Sequence, residues 1–270
     1  MELCEKELGR VIDGEELKKF ELEILCEIHD FCQDHGLQYW LWGGTLLGAI
    51  RHDGFIPWDD DIDIAMPRVD YQYFCEHFSS DQYGVSCCEK DKRHPYWYAK
   101  AYHKKTKKVE PIYHAGGYCL GVDVDIFPLD EYVNFDEVLK SVEWRKQQIK
   151  HYGRSLLPCK GAPIKQVTAG FVCRNIFRIT ANRTARSANL RAQSYGKGPG
   201  LMLYADANIR MPLRLEKSWF ANRTLHAFED KMVYIPENYD ALLRACYGDY
   251  MTPPPKEKQI THHNFVAYHK

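Results

Sequence analysis

"GGTLLGAIRHDGFIPWDDDIDIAMPR", residues 43 to 68, crowds Asp59, Asp60, Asp61 and Asp63 into five positions. Like charges at that density repel one another unless a cation belongs among them. The closing "DIDIAMP" alternates acid with apolar residues, which predicts a strand stopped by Pro67, with Asp61 and Asp63 on one face and Ile62 and Ile64 on the other. Upstream, Gly43, Gly44 and Thr45 read as a turn whose N–H groups can approach a phosphate closely. "LLGAIRH" then starts a short helix, whose dipole favours the same anion. Phosphate cradle and metal ligands thus fall on adjoining elements.

Working outward, "LQYWLW" at 37–42 reads as a buried strand, and residues 14 to 35 as a helix. Asp13 and Glu16 form its capping box, and Leu17, Phe20, Ile24, Ile28 and Phe31 recur on one face. Residues 69–78 read as helix and "YWYAKAYHKKTKKVEPIY" at 96–113 as a hairpin. "LGVDVDIFPLD" is a second acid/apolar strand presenting Asp123 and Asp125 on one face. From about 134 to 190 the pattern turns helical, with Phe135, Val138, Leu139 and Val142 on one stripe; the Pro-rich tail after 247 reads as a loop wrapping the body.

The chain has 270 residues, enough for a single globular body with a sizeable core. Its 36 Lys+Arg balance 37 Asp+Glu, for a net charge of −1, which argues against a nucleic-acid partner. The exception is local: residues 171–217 hold nine Lys/Arg against two acids, a surface suited to an anionic acceptor or to peripheral contact with an anionic membrane. The ten cysteines show no C-x-x-C spacing and suit reduced, buried thiols. No apolar run approaches the ~20 residues of a membrane span, so the expected location is cytoplasmic, at most peripheral at the inner face of the membrane.

Two strands that each offer carboxylates two residues apart can build a divalent site if they are neighbours in one sheet, and hard cations such as Mg²⁺ take oxygen ligands. An EF-hand-like calcium loop is a rival reading of Asp59, Asp61 and Asp63. It fails at its sixth position, where Ile64 replaces Gly, and at its twelfth, where Asp70 replaces Glu. A glycosyltransferase using Asp61-Ile62-Asp63 as its D-x-D motif is a second rival, although the roughly sixty residues ahead of the motif are short for a nucleotide-binding β/α region.

The 43–68 stretch closely resembles the signature of the LicD family of phosphotransferases, related to fukutin, in the nucleotidyltransferase-fold superfamily. "VDVDIFPLD" at 122–130 resembles that family's third-carboxylate strand and "YGDYMTPPPKEKQITHH" at 247–263 its ending. The resemblance implies an α/β fold: a nucleotidyltransferase-like core with a small mixed sheet flanked by helices over 37–133. An N-terminal helix over 1–36 would precede it, and a mainly helical region over 134–270 would follow, its C-terminal segment returning to the active site. Asp61, Asp63 and Asp125 would be metal ligands and catalytic carboxylates, holding Mg²⁺, or Mn²⁺, as two ions. Gly43, Gly44 and Thr45 would hold the donor phosphates. Asp59 and Asp60 are further candidates, and Asp123 competes with Asp125 for the third carboxylate.

The implied chemistry is transfer of phosphocholine from CDP-choline to a sugar hydroxyl of a lipid-linked or oligosaccharide acceptor, in teichoic acid or lipopolysaccharide assembly. Ribitol, glycerol or another alcohol phosphate remains open as the donor head group. Arg51 and His52 match the family motif, and Lys100 is a candidate phosphate contact, although an exposed strand-edge lysine is its plainer reading. His262 and His263 fall in the segment resembling the family's ending. Choline, a quaternary ammonium, is held by aromatic faces, and Trp40, Trp42, Trp58, Tyr96, Trp97 and Tyr98 lie near the site in sequence, each more simply read as core.

Overall fold

The chain is described by a computed structural model covering residues 8–110, 118–143, 164–176, 180–203, 214–261 and 264–270. The capping box forms as read: Asp13 Oδ1 accepts from Glu16 N–H at 2.9 Å and starts α1 (Gly14–Asp34). The stripe of α1 buries Leu17, Ile24 and Ile28, while Phe20 and Phe31 pack partly buried against the same core.

Then follow β1 (Trp40–Leu41), α2 (Gly43–His52), β2 (Asp63–Pro67), α3 (Arg68–His77), β3 (Tyr83–Ser86), β4 (Ala99–His103), β5 (Thr106–Val109) and β6 (Asp123–Tyr132). Beyond them lie α4 over 135–143, α5 (Ile164–Asn175), α6 (Ala181–Ala192), β7 (Gly200–Leu203), β8 (Leu215–Glu216), β9 (Arg223–Phe228), β10 (Lys231–Pro236), α7 (Tyr239–Tyr247) and β11 (Val266–His269).

Among the described residues seven strands form one mixed sheet, ordered β1-β2-β6-β4-β3, with β7 joining β6 and β8 joining β7. The β2–β6 pair is parallel and the other pairs are antiparallel. Ile62, Ile64, Ala65, Met66, Val122, Val124 and Ile126 are fully buried around this pair, each large side chain contributing roughly 1.5–3 kcal/mol. Arg68, at the start of α3, donates through Nε to Asp130 Oδ1 of β6 at 2.7 Å, and Asn189 of α6 stands 3.4 Å from the same guanidinium.

Four details depart from expectation. The strand in "LQYWLW" is two residues long, and the D-x-D strand begins at Asp63, leaving Asp61 on the extended approach to it. The described part of the expected hairpin, residues 96–110, does not pair with itself: β4 already has β3 and β6 on its two edges, so β5 turns away to pair antiparallel with β11. The glycine turn is itself the first turn of α2, capped by Trp42. From Gly200 on, the described residues are not mainly helical; β7 and β8 extend the core sheet, and β9 and β10 form a separate hairpin. No helix among the described residues is long and apolar enough to cross a membrane.

Candidate active site

Two backbone hydrogen bonds fix Asp63: its N–H donates to Thr45 Oγ1 at 2.8 Å, and its carbonyl accepts from Trp42 N–H at 2.9 Å. Thr45 therefore anchors β2 to α2. The parallel register sets Asp63 directly opposite Asp125, whose N–H donates to Ile62 O at 2.9 Å. Asp59, Asp60 and Asp61 lie just upstream, and one carboxylate oxygen from each falls within 4.8 Å of the others.

These acids rest on the first turn of α2. Gly43 has φ +55°, and a Cβ there would stand 3.1 Å from Asp63 Oδ2; a Cβ on Gly44 would stand 2.7 Å from Asp59 Oδ2. Glycine is needed at both positions because carboxylates occupy the space of a side chain, and at Gly43 also for its left-handed backbone. The Oη of Tyr247, on α7, would lie 4.0 Å from the same Gly43 Cβ.

Two lysines approach these acids, Lys100 from β4 of the core sheet and Lys108 from β5 of the β5–β11 pair. Lys100 Nζ donates to Asp125 Oδ1 at 2.5 Å and pairs with Asp123 Oδ2 at 3.4 Å, while Lys108 Nζ donates to Asp123 Oδ1 at 2.8 Å. Lys100 is 4 % exposed. The exposed-edge reading of this lysine is corrected, because strands on both sides cover β4 and leave its side chain among acids.

The two candidates for the third carboxylate differ in register, since Asp125 and not Asp123 is the partner of Asp63 across β2 and β6. Burial pushes the Asp125 carboxyl up to about 6, with Asp123 adding to the rise and Lys100 opposing it. Burial works on Asp123 too, but Lys100 and Lys108 outweigh it and hold this group below its usual value. Asp123 pairs with both lysines, whereas Asp125 pairs with Lys100 alone and faces Asp63. Burial raises Asp63 well above the ordinary carboxylate range, reinforced by Asp61, Asp125 and Asp59.

Glu21, from the buried face of α1, is fully buried, and neither carboxylate oxygen has a hydrogen-bond partner. Burial lifts its pKa strongly; Lys108 opposes the rise, and Asp61, Asp123 and Asp60 strengthen it. An all-oxygen cluster whose members are driven toward protonation by burial and by each other fits a hard divalent cation. The strand at Asp63–Pro67 and helix at Arg68 replace any calcium-type loop through Asp70.

Other residues singled out by sequence stand apart. Arg51 lies in the last turn of α2, where Nη1 donates to Tyr250 O at 2.8 Å and Nε to His52 Nε2 at 3.0 Å. The His52 ring meets Trp58 edge-on, with centroids 6.1 Å apart. Arg51 and His52 thus tie the last turn of α2 to Tyr250 and Trp58. His262 and His263 lie outside the described residues. Trp40, Trp42 and Trp97 are buried in the core.

A cavity of about 200 Å³ opens beside Asp61, Asp123 and Asp125, walled by Tyr96, Tyr98 and Phe265. Lys108, Glu21, Tyr247 and Phe265 escaped the sequence reading. Only Glu21 left a signal there, since position 21 falls on the stripe of Leu17, Ile24 and Ile28.

The sequence profile described as "LicD/FKTN/FKRP, nucleotidyltransferase domain" matches residues 36–170. The matched span holds the glycine turn, the aspartate cluster and Asp125. The chain belongs to the LicD family. It is 30% identical over 256 residues to the lipopolysaccharide cholinephosphotransferase LicD of Haemophilus influenzae, covering 92% of this chain and 94% of that one. It is also 58% identical over 31 residues to the ribitol 5-phosphate transferase FKRP of Homo sapiens, 12% of this chain and 6% of that protein. The mouse FKRP gives the same match.

Proposed function

We propose that this chain is a phosphotransferase that moves phosphocholine from CDP-choline to a sugar hydroxyl of a cell-surface glycan precursor on the cytoplasmic side. The observation that carries the reading is the register of Asp63 against Asp125 beside Asp59, Asp60 and Asp61 on the first turn of α2. The near-full-length likeness to a lipopolysaccharide cholinephosphotransferase supports choline as head group and lipopolysaccharide as acceptor class, with teichoic acid as an acceptor of the same chemistry. The exposed Arg183 and Arg186 of α6 suit an anionic acceptor or membrane surface.

Asp61, Asp63 and Asp125 would hold magnesium, or manganese, as two ions, with Asp59 and Asp60 completing the oxygen set. Bound metal would neutralise charge on the diphosphate and on departing CMP. The first turn of α2 offers its N–H groups to the donor phosphates. Lys100, displaced from Asp125, supplies a point charge to the transferred phosphoryl group. The acceptor oxygen attacks the phosphorus that bears choline, the P–O bond to CMP breaks, and a sugar–phosphocholine diester forms. Asp125, set opposite Asp63 by the strand register, would take the hydroxyl proton as general base.

Titration calorimetry of CDP-choline, CDP-ribitol and UDP-glucose, with and without Mg²⁺, tests the assignment. Magnesium-dependent binding of CDP-choline, lost in Asp61→Ala, is the expected result. Preference for UDP-glucose would move the chain to the D-x-D glycosyltransferase class.

A further inference from the structure

A trimethylammonium head group has no N–H to donate, so a protein can hold it only with ring faces and negative charge. The cavity beside the carboxylate cluster offers both. Its lining brings Tyr96, Tyr98 and Phe265 together with Glu110, and it shares Asp61 and Asp125 with the proposed metal site. Of its four acids, Asp61 and Asp125 belong to the proposed metal site and Asp123 pairs with both Lys100 and Lys108, which leaves Glu110 to face a cationic head group.

Each of these rings already meets a lysine ammonium over one face. Lys100 Nζ stands 4.9 Å from the centroid of Tyr96 and 5.6 Å from that of Tyr98, and Lys108 Nζ 4.3 Å from that of Phe265. Tyr96 and Tyr98 lie 5.0 Å apart at 33°, and Tyr96 Oη donates to Glu110 Oε2 at 3.0 Å, which fixes the ring and draws a carboxylate to the wall. A phosphoryl group held by Lys100 beside the proposed metal site would have its choline nitrogen one ethylene bridge away, within reach of this cavity. About 200 Å³ admits a compact trimethylammonium group.

We infer that Tyr96, Tyr98, Phe265 and Glu110 form a specificity pocket for the quaternary ammonium of the donor. This rests on the proposed CDP-alcohol chemistry and adds the residues that choose the alcohol. It also gives the segment before β11 a functional side chain, Phe265, contributed from the far end of the sequence.

The test compares two donors on the full chain with Mg²⁺: CDP-choline and CDP-3,3-dimethylbutanol, which replaces the nitrogen by carbon and removes the charge without changing shape. A cation–ring pocket shielded from water should favour CDP-choline by about tenfold or more. Tyr96→Leu and Phe265→Leu should each reduce that preference toward unity while leaving the affinity for CDP itself unchanged, and Tyr96→Phe should keep most of it. Equal affinity of the wild-type chain for the two donors, or full preference in the folded Leu variants, overturns the pocket while leaving phosphocholine transfer standing. Binding of CDP-ribitol and of neither choline-shaped donor overturns the donor assignment and the pocket together.

Discussion

At the scale of single residues, the site is governed by how little room its glycines leave. Gly44→Ala would place a methyl group 2.7 Å from Asp59 Oδ2, and the carboxylate must swing off α2 to admit it. The helix tolerates alanine well, so the expected outcome is at least a tenfold loss of turnover with little change in melting temperature. Initial-rate assays beside thermal unfolding check this; equal losses in both would mean that Gly44 serves packing alone. The pairs Asp61/Asp63 and Asp123/Asp125 were legible in the sequence because acid/apolar alternation puts alternate residues on one face, although Asp61 proved to lie just before its strand and periodicity does not separate Asp123 from Asp125. Lys108 was not legible: in "HKKTKKVE" nothing separates a lysine that pairs with a buried acid from those beside it. Glu21 could have been found, as an acid in the apolar stripe of a helix.

At the scale of elements, the architecture rests on a few polar ties across otherwise apolar layers. Arg68 joins α3 to β6 through Asp130, and the acid is 3 % exposed. Removing the guanidinium strands that carboxylate, so Arg68→Ala should destabilise the fold by about 3–5 kcal/mol. A lower denaturant midpoint with an unchanged slope checks it, and a shift under ~1 kcal/mol would show Asp130 to be well solvated without its partner. The capped helix α1 and the β2–β6 pair were readable because their patterns are local. The pairing of β5 with β11 was not, because edge availability is decided by other strands. Neither were β9 and β10, where "RTLHAF" leaves Leu225 and His226 at least partly exposed and so blurs the alternation expected of a half-buried strand.

For the whole molecule, near-neutral net charge conceals a concentrated local imbalance, and pH should expose it. The carboxyl of Asp125 moves from 3.8 in the reference state to about 6 in the fold, and burial shifts Asp63 and Glu21 in the same direction. Groups whose pKa rises on folding contribute stability that is complete below the unfolded value and lost as pH rises through the folded one. The metal-free protein should therefore melt at progressively lower temperature as pH climbs from about 4 past about 6. Saturating Mg²⁺ should restore the loss at neutral pH, by about 2.7 kcal/mol at a hundredfold excess over the dissociation constant. Calorimetric scans in chelator and in Mg²⁺ across that range check both; a flat chelator series would remove the basis for a metal-demanding cluster.

The register that sets Asp63 opposite Asp125 also bears on time. The two strands are joined by a long crossover that includes α3, β3, β4 and β5, so their meeting carries the loop-closure cost that makes parallel pairing slow. The carboxylates converge only once that crossover has closed, and an unfolded chain offers a cation no preassembled set of ligands. Metal would accordingly act as a latch, lengthening the lifetime of the finished molecule while leaving the speed of its assembly nearly untouched.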